Sequence, residues 1–188
     1  MNPMEISGNW DKGFVLDWHI VSCASRGASA DGVANFETTR TELGEFMYRL
    51  KYQGDITAAK DIIKLIGPFL DGFHELKAVN LVIPVPPSKN RDFQPVDELA
   101  WVIAEHLQIR FTDAMLEKTS QQQAKNMTKS ARNLKGSIIA KKRGSRPYNI
   151  LLVDDLYETG KTLRECVAVL KDDPNLKKIY VLAMTRTK

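Results

Sequence analysis

The residue types and spacings that could do chemistry are concentrated in Val153-Asp154-Asp155-Leu156-Tyr157-Glu158-Thr159-Gly160-Lys161-Thr162, where two adjacent acids precede a hydroxyl, a glycine and a second hydroxyl. Glycine takes tight-turn conformations that other residues resist, so backbone N–H groups around Gly160 can face an anion. Thr159 and Thr162 add hydroxyl donors, and a helix starting here would add the partial positive charge of its N-terminus. Together these features make a cup for one phosphate monoester, to which Lys161 contributes mainly a backbone N–H. Carboxylates beside such a cup would repel a phosphate, so Asp154 and Asp155 should face something else. Ribose hydroxyls, or a Mg²⁺ shared with the ligand, would satisfy them. Phosphate on Thr-Gly-x-Thr and ribose on paired acids is the division of labour expected for a ribose 5-phosphate.

Other readings of the same residues fit less of the pattern. A Walker A loop needs a glycine where Asp155 stands, so Gly160-Lys161-Thr162 is only a partial match. A Rossmann fingerprint lacks its glycines. A plain strand–turn–helix, with Thr162 and Glu165 as a capping box, is compatible with the sequence but leaves the paired acids unexplained. His19, His74 and His106 have no metal-site spacing and read as packed or surface residues. Cys23 and Cys166 are the only cysteines and form no C-x-x-C, so neither a disulfide framework nor a four-cysteine zinc site is expected.

The elements that must position these residues follow from hydrophobic patterning. Tyr148 to Val153 is a continuous apolar run, as in strands buried on both faces, and it ends at the two acids. A helix carrying Leu163, Val167 and Leu170 follows, closed by Pro174, and Ile179 to Met184 is another buried strand. Upstream, Gly13 to Val21 alternates and predicts a half-buried strand, and Ala24 to Asn35 predicts a loop or hairpin tip. Helices are predicted over Glu37 to Lys51 and from Thr57 to Leu70. A strand over Val79 to Pro84 runs into a proline-rich turn, then a helix carrying Leu99, Val102, Ile103 and Leu107 and a weak strand over Ile109 to Phe111. Thr119 to Lys135, with Gln121 to Gln123, is read as a long mobile segment. Strands alternating with helices predict an α/β fold around a mostly parallel sheet, where ligands bind at the carboxyl ends of strands.

Composition is consistent with this. A chain of 188 residues with 43% hydrophobic residues makes a single domain with its own core. The formal charge of +4 and a pI near 9.0 are compatible with anionic ligands. The cluster Lys141-Lys142-Arg143 reads as a solvated face. No apolar run is long enough for a membrane helix, and the N-terminus lacks a secretory signal pattern, so a cytoplasmic location with no membrane partner is expected.

The segment Ile150 to Thr162 resembles the phosphoribosyl pyrophosphate (PRPP) loop of type I phosphoribosyltransferases, and the ComF-like group among them is the most similar. Tyr48-Arg49-Leu50-Lys51-Tyr52-Gln53-Gly54-Asp55 is similar to that group's Leu-Lys-Tyr-x-Gly element. Pro84-Val85-Pro86-Pro87, then Arg91-Asp92-Phe93-Gln94 and Leu99-Ala100, resemble its pyrophosphate-side loop and the helix after it. Gln122 through Arg132-Asn133 and Gly136 resemble its glutamine-then-arginine-asparagine segment. The resemblance covers residues 37 to 188. Many ComF-like proteins begin with zinc-binding cysteines, which this sequence lacks, so no zinc module is carried over.

The resemblance implies a type I phosphoribosyltransferase fold as a single domain over residues 1–188, with the strand and hairpin of residues 1–36 contributing to a small hood. It implies a pentosyl-transferring glycosyltransferase of nucleotide metabolism, dependent on Mg²⁺, that moves a phosphoribosyl group to a nitrogen acceptor and releases pyrophosphate. Asp154 and Asp155 would hold the ribose and any protein share of the Mg²⁺, itself held mainly by the ligand. Thr159, Gly160, Lys161 and Thr162 would hold the 5-phosphate. Pro87, Ser88, Lys89 and Arg91 would face the pyrophosphate. Glu158 would act as general base, and Arg132 or Lys129, on a segment closing over the site, would add positive charge. The alternative is a non-catalytic module of the ComF type that senses PRPP or a nucleotide monophosphate, or binds single-stranded DNA during DNA uptake. A second copy of the chain is a further candidate partner.

Overall fold

The apolar run that ends in the acid pair is a strand covered on both faces, and the architecture is arranged around it. The computed structural model describes residues 1–28, 34–87, 93–119 and 138–187. The chain runs β1 (Met4–Glu5), β2 (Lys12–Trp18), β3 (Ile20–Ala28), β4 (Ala34–Arg40), α1 (Glu42–Tyr52), α2 (Thr57–Gly72), a 3-10 turn (His74–Ala78) and β5 (Leu81–Pro84). It continues through α3 (Pro95–Leu107), β6 (Arg110–Phe111), β7 (Leu116–Lys118), β8 (Ile138–Ala140), β9 (Tyr148–Tyr157), α4 (Lys161–Leu170) and β10 (Leu176–Arg186). Six strands form the central sheet in the order β1-β2-β10-β9-β5-β6. All its pairs are parallel except β1 with β2. The fold is therefore α/β with a mostly parallel sheet, as the strand–helix alternation predicts.

Each face of the sheet is sealed by a different set of helices. On one, Leu43, Met47 and Leu50 of α1, Ile62 and Ile66 of α2, and Leu99 and Ile103 of α3 pack on Leu16, Leu151, Val153 and Leu182. On the other, Leu163, Val167 and Leu170 of α4, with Leu116 and Ile138, pack on Val15, Ile150, Leu152 and Val181. Burying each such Leu or Ile side chain contributes about 1.5–3 kcal/mol, which holds β9 rigidly at the centre.

The topology then fixes where a ligand can enter. β5 leads through α3 on one face to β6, and β9 leads through α4 on the other face to β10. The two connections diverge, so a crevice opens between the carboxyl ends of β5 and β9, the switch point where open α/β sheets bind ligands. The last residues of β9 are Asp154, Asp155, Leu156 and Tyr157.

Several local expectations are corrected. The strand predicted over Gly13 to Val21 is two strands, and β2 is not half-buried: Val15 and Leu16 are both fully enclosed, because Leu16 packs into the core on one face of the sheet and Val15 into the core on the other. The chain breaks at His19, where Thr41 donates to the Trp18 carbonyl (2.6 Å) and His19 donates to the Arg186 carbonyl (2.8 Å). Gly44 lets α1 approach this bend, since a Cβ there would lie 2.2 Å from the His19 carbonyl oxygen. Residues 24–28 and 34–35, expected in a loop or the tip of a hairpin, do belong to a hairpin, but as part of its paired strands β3 and β4. The helix predicted from Glu37 begins at Glu42, because Thr38 to Arg40 pair with β3 and the Thr41 hydroxyl caps α1 by accepting from the Gly44 N–H (2.9 Å). β1 and β2 belong to the central sheet, and β3 and β4 form a separate two-stranded sheet. Most of the segment Thr119 to Lys135 lies outside the described residues.

Candidate functional site

β9 presents its two acids to opposite sides, as successive strand residues must. Asp154 is buried toward α4, and one of its carboxylate oxygens accepts from the Asp155 N–H (2.9 Å). Burial, with the Asp155 carboxylate alongside, pushes the Asp154 carboxyl well above the usual carboxylate range. Asp155 turns toward α1, where its carboxylate forms an ion pair with the Lys51 ammonium. Burial works against the charge on Lys51, but the attraction and hydrogen bond of Asp155 prevail and hold its pKa above the usual value.

The backbone beneath is fixed by a short relay. The Thr185 hydroxyl donates to the Asp155 carbonyl (3.2 Å) and lies 3.1 Å from the His19 imidazole. Burial, then the charges of Arg40 and Lys51, hold His19 below its usual pKa, so it stands there as a neutral ring at neutral pH. Cys166 lies under Asp154, and burial and that acid push its thiol far up, which makes it an inert core residue.

The loop after β9 turns at Gly160, whose φ of +69° is the left-handed conformation glycine supplies. Gly160 is itself the N-cap of α4, and no side chain caps this end. A Thr162–Glu165 capping box is thereby excluded, since Thr162 lies inside the helix. The first-turn N–H groups of α4 thus face the loop without intrahelical partners. Thr159 accepts from the Lys161 N–H (3.4 Å), and the Arg164 guanidinium donates to the Thr159 carbonyl, which closes the loop on itself. Glu158, Thr159 and Lys161 are exposed, and Thr162 is half-buried.

Two adjoining spaces result, with Asp154, Leu156 and Thr162 in the walls of both. A small hollow of about 80 Å³ is bounded by Asp154, the loop residues 156–162 and Leu163. A larger cleft of about 330 Å³ is lined by Lys51, Val85, Pro86, Pro87, Gln94, Pro95, Asp154, Asp155 and Thr162. The turn after β5 is held against β9, since Val85 donates to the Val153 carbonyl (2.8 Å). The structure thus brings Asp154, Asp155, Thr162 and Pro87 together, with Glu158, Thr159, Gly160 and Lys161 around the adjoining hollow. Ser88, Lys89, Arg91, Lys129 and Arg132 lie outside the described residues.

Lys51 and Gln94 line the cleft, although neither was among the expected site residues. Lys51 sits in the Leu-Lys-Tyr stretch already singled out, which was the available signal. Its partner lies 104 positions away, beyond any local pattern.

The donor set bears on a metal. Among the described residues no three His, Cys, Asp or Glu side chains converge, and one member of the acid pair is engaged by Lys51. Any Mg²⁺ would take most of its octahedral shell from ligand oxygens and water, which suits a metal carried in with a phosphorylated ligand.

Fold and site together define an α/β protein with a phosphate-sized loop and a paired-acid cleft at its topological switch point. Among proteins of known role, the chain is similar to competence protein ComFC of Streptococcus pneumoniae, with 27% identity over 152 residues. That alignment covers 79% of this chain and 66% of the relative's length. It falls in the group that the sequence motifs resemble. No known protein family's sequence profile matches the chain. Similar solved structures include adenine phosphoribosyltransferase from Thermoanaerobacter pseudethanolicus, at 12% identity and a TM-score of 0.45 over 87% of this chain and 94% of that one. Another is adenine phosphoribosyltransferase from Leishmania donovani, at 15% identity and a TM-score of 0.41 over 97% and 86% of the respective chains. Among the described residues no helix is long and apolar enough to cross a membrane.

Proposed function

We propose that this chain binds PRPP, with its 5-phosphate in the 156–162 loop and its ribose and pyrophosphate in the adjoining cleft, and transfers the phosphoribosyl group to a nitrogen acceptor. The observation that carries the reading is the placement of the acid pair and the Gly160 loop side by side at the switch point, around a small hollow that shares its walls with a larger cleft. A Walker A nucleoside triphosphate loop would put glycine where Asp155 stands.

In the transfer, a nitrogen–C1 bond forms as the C1–oxygen bond to pyrophosphate breaks, and pyrophosphate leaves with that electron pair. Mg²⁺, when bound with the ligand, neutralises charge on the leaving pyrophosphate. Asp155, oriented by Lys51, and Asp154 accept hydrogen bonds from the ribose hydroxyls and stabilise the positive charge that develops on the sugar. Glu158 is exposed at the lip of the loop and takes the proton from the nitrogen nucleophile. The test is pyrophosphate release from PRPP against a panel of purine and pyrimidine bases. Glu158→Gln is expected to lower turnover at least tenfold with PRPP affinity unchanged, and equal turnover removes Glu158 from the chemistry.

A second reading, a non-catalytic ligand-sensing or single-strand DNA-binding role in DNA uptake, is favoured by the relative being a competence protein. Binding of PRPP without pyrophosphate release for any acceptor would favour it.

A further inference from the structure

At the opposite end of β9 lies a second cleft, of about 350 Å³, comparable to the first. It opens at the amino ends of β5, β6 and β9, between Leu81, Arg110, Met115, Arg146, Pro147 and Tyr148. From Tyr148 to Asp154 the strand advances about 20 Å, so no ligand of ordinary size reaches both.

Its walls are built rather than incidental. The loop before β9 is clamped onto Asp173, whose carboxylate accepts from the Gly144 N–H (2.6 Å), the Tyr148 hydroxyl (2.8 Å) and the Asn175 N–H (2.9 Å). Asn175 in turn donates to the Gly144 carbonyl (2.7 Å). Gly144 lies directly on the Tyr148 ring, where a Cβ would come within 2.3 Å of it. Burial works against the charge of Asp173, but these hydrogen bonds keep its carboxyl below the usual range, so it stays ionised and fully committed.

Against these fixed walls stand two uncommitted cations. Arg110 and Arg146 are exposed, and among the described residues neither guanidinium has a hydrogen-bond or ion-pair partner. The acids nearby are engaged elsewhere: Asp173 as described, and Glu117 by Lys141 (3.6 Å). Lys142 and Arg143 add exposed positive charge on the same loop. A preformed cleft with an apolar floor and two unpaired guanidiniums at its mouth suits an organic anion whose flat apolar part fills the cleft and whose phosphate is gripped by the arginines. Inorganic phosphate would engage the arginines and leave the floor wet.

We infer that the Leu81–Arg110–Met115–Arg146–Tyr148 cleft is a second ligand site, for a small phosphorylated molecule with an aromatic ring, separate from the acid-pair site. The inference does not depend on the acid-pair site binding PRPP. The experiment is an amide-shift titration of ¹⁵N-labelled full chain with AMP, repeated with inorganic phosphate and with a short single-stranded oligonucleotide. AMP is expected to move a contiguous set of amides at 80–81, 110, 115, 144–146 and 148 with its own binding curve. Arg110→Ala with Arg146→Ala is expected to weaken that curve at least tenfold at unchanged melting temperature. Shifts confined to 154–162, or a curve insensitive to loss of the arginines, would overturn the site. Phosphate binding at 110 and 146 as tight as AMP would overturn the role of the ring. Tighter binding of the oligonucleotide than of AMP would overturn the assignment to a small ligand.

Discussion

Removing Lys51 should expose how the acid pair is tolerated. Lys51 and Asp155 retain 27% and 14% of their side-chain exposure, so the pair is neither free in water nor sealed from it. Breaking a buried ion pair by deleting one partner costs about 3–5 kcal/mol, whereas an exposed pair contributes about 0–1 kcal/mol. Intermediate exposure puts Lys51→Met at about 2 kcal/mol. Part of that cost is electrostatic, because Asp154 and Asp155 would then be adjacent acids without the Lys51 charge that attracts both. A chain of this size should lose roughly 4–8 °C in melting temperature. Urea unfolding followed by tryptophan fluorescence measures the loss. Lys51→Met with Asp155→Asn should recover at least half of it, because the carboxylate that lost its ion-pair partner is then removed as well. A loss under about 0.5 kcal/mol, or a double variant no more stable than Lys51→Met alone, would refute the account of how the pair is held.

Other expectations follow from single contacts. Gly160→Ala places a Cβ 2.8 Å from the Tyr157 ring at a φ of +69°, and should cost about 1–2 kcal/mol in urea unfolding while abolishing phosphate binding at the loop. Burial, then the Asp113 carboxylate, raise Asp97 from 3.8 to about 6. A carboxyl raised on folding favours the folded state at low pH, an advantage lost as pH rises through about 6. Asp97→Asn should therefore melt higher than the parent at pH 8 and no higher at pH 4. Tyr148→Phe removes the hydroxyl that donates to Asp173 in a buried setting and should cost about 1–3 kcal/mol in the same unfolding assay.

The candidate site was legible in the sequence because it is local. Acids, hydroxyls and glycine lie within one strand–loop–helix, and an unbroken apolar run locates the strand. Three features were not legible, each for a physical reason. The alternation of Phe14, Leu16 and Trp18 hid the burial of Val15, because a strand's partner on each face is set by distant chain. The periodicity of α1 extended back into Thr38 to Arg40, where hairpin pairing overrides it. Lys51 joins the site only because Leu43, Met47 and Leu50 pack α1 against the sheet, which brings its last turn to the end of β9. Even the acid pair changed meaning: it belongs to the strand itself, so its two members face different layers and have different partners.

The most direct test of the account is titration calorimetry of PRPP, with and without Mg²⁺, against the parent chain and against Asp154→Asn with Asp155→Asn. One PRPP per chain is predicted, tighter with Mg²⁺, and weakened at least tenfold in the double variant while its fold, followed by circular dichroism, persists. No heat of binding to the parent chain, or equal affinity in the double variant, would contradict the assignment of this cleft to PRPP.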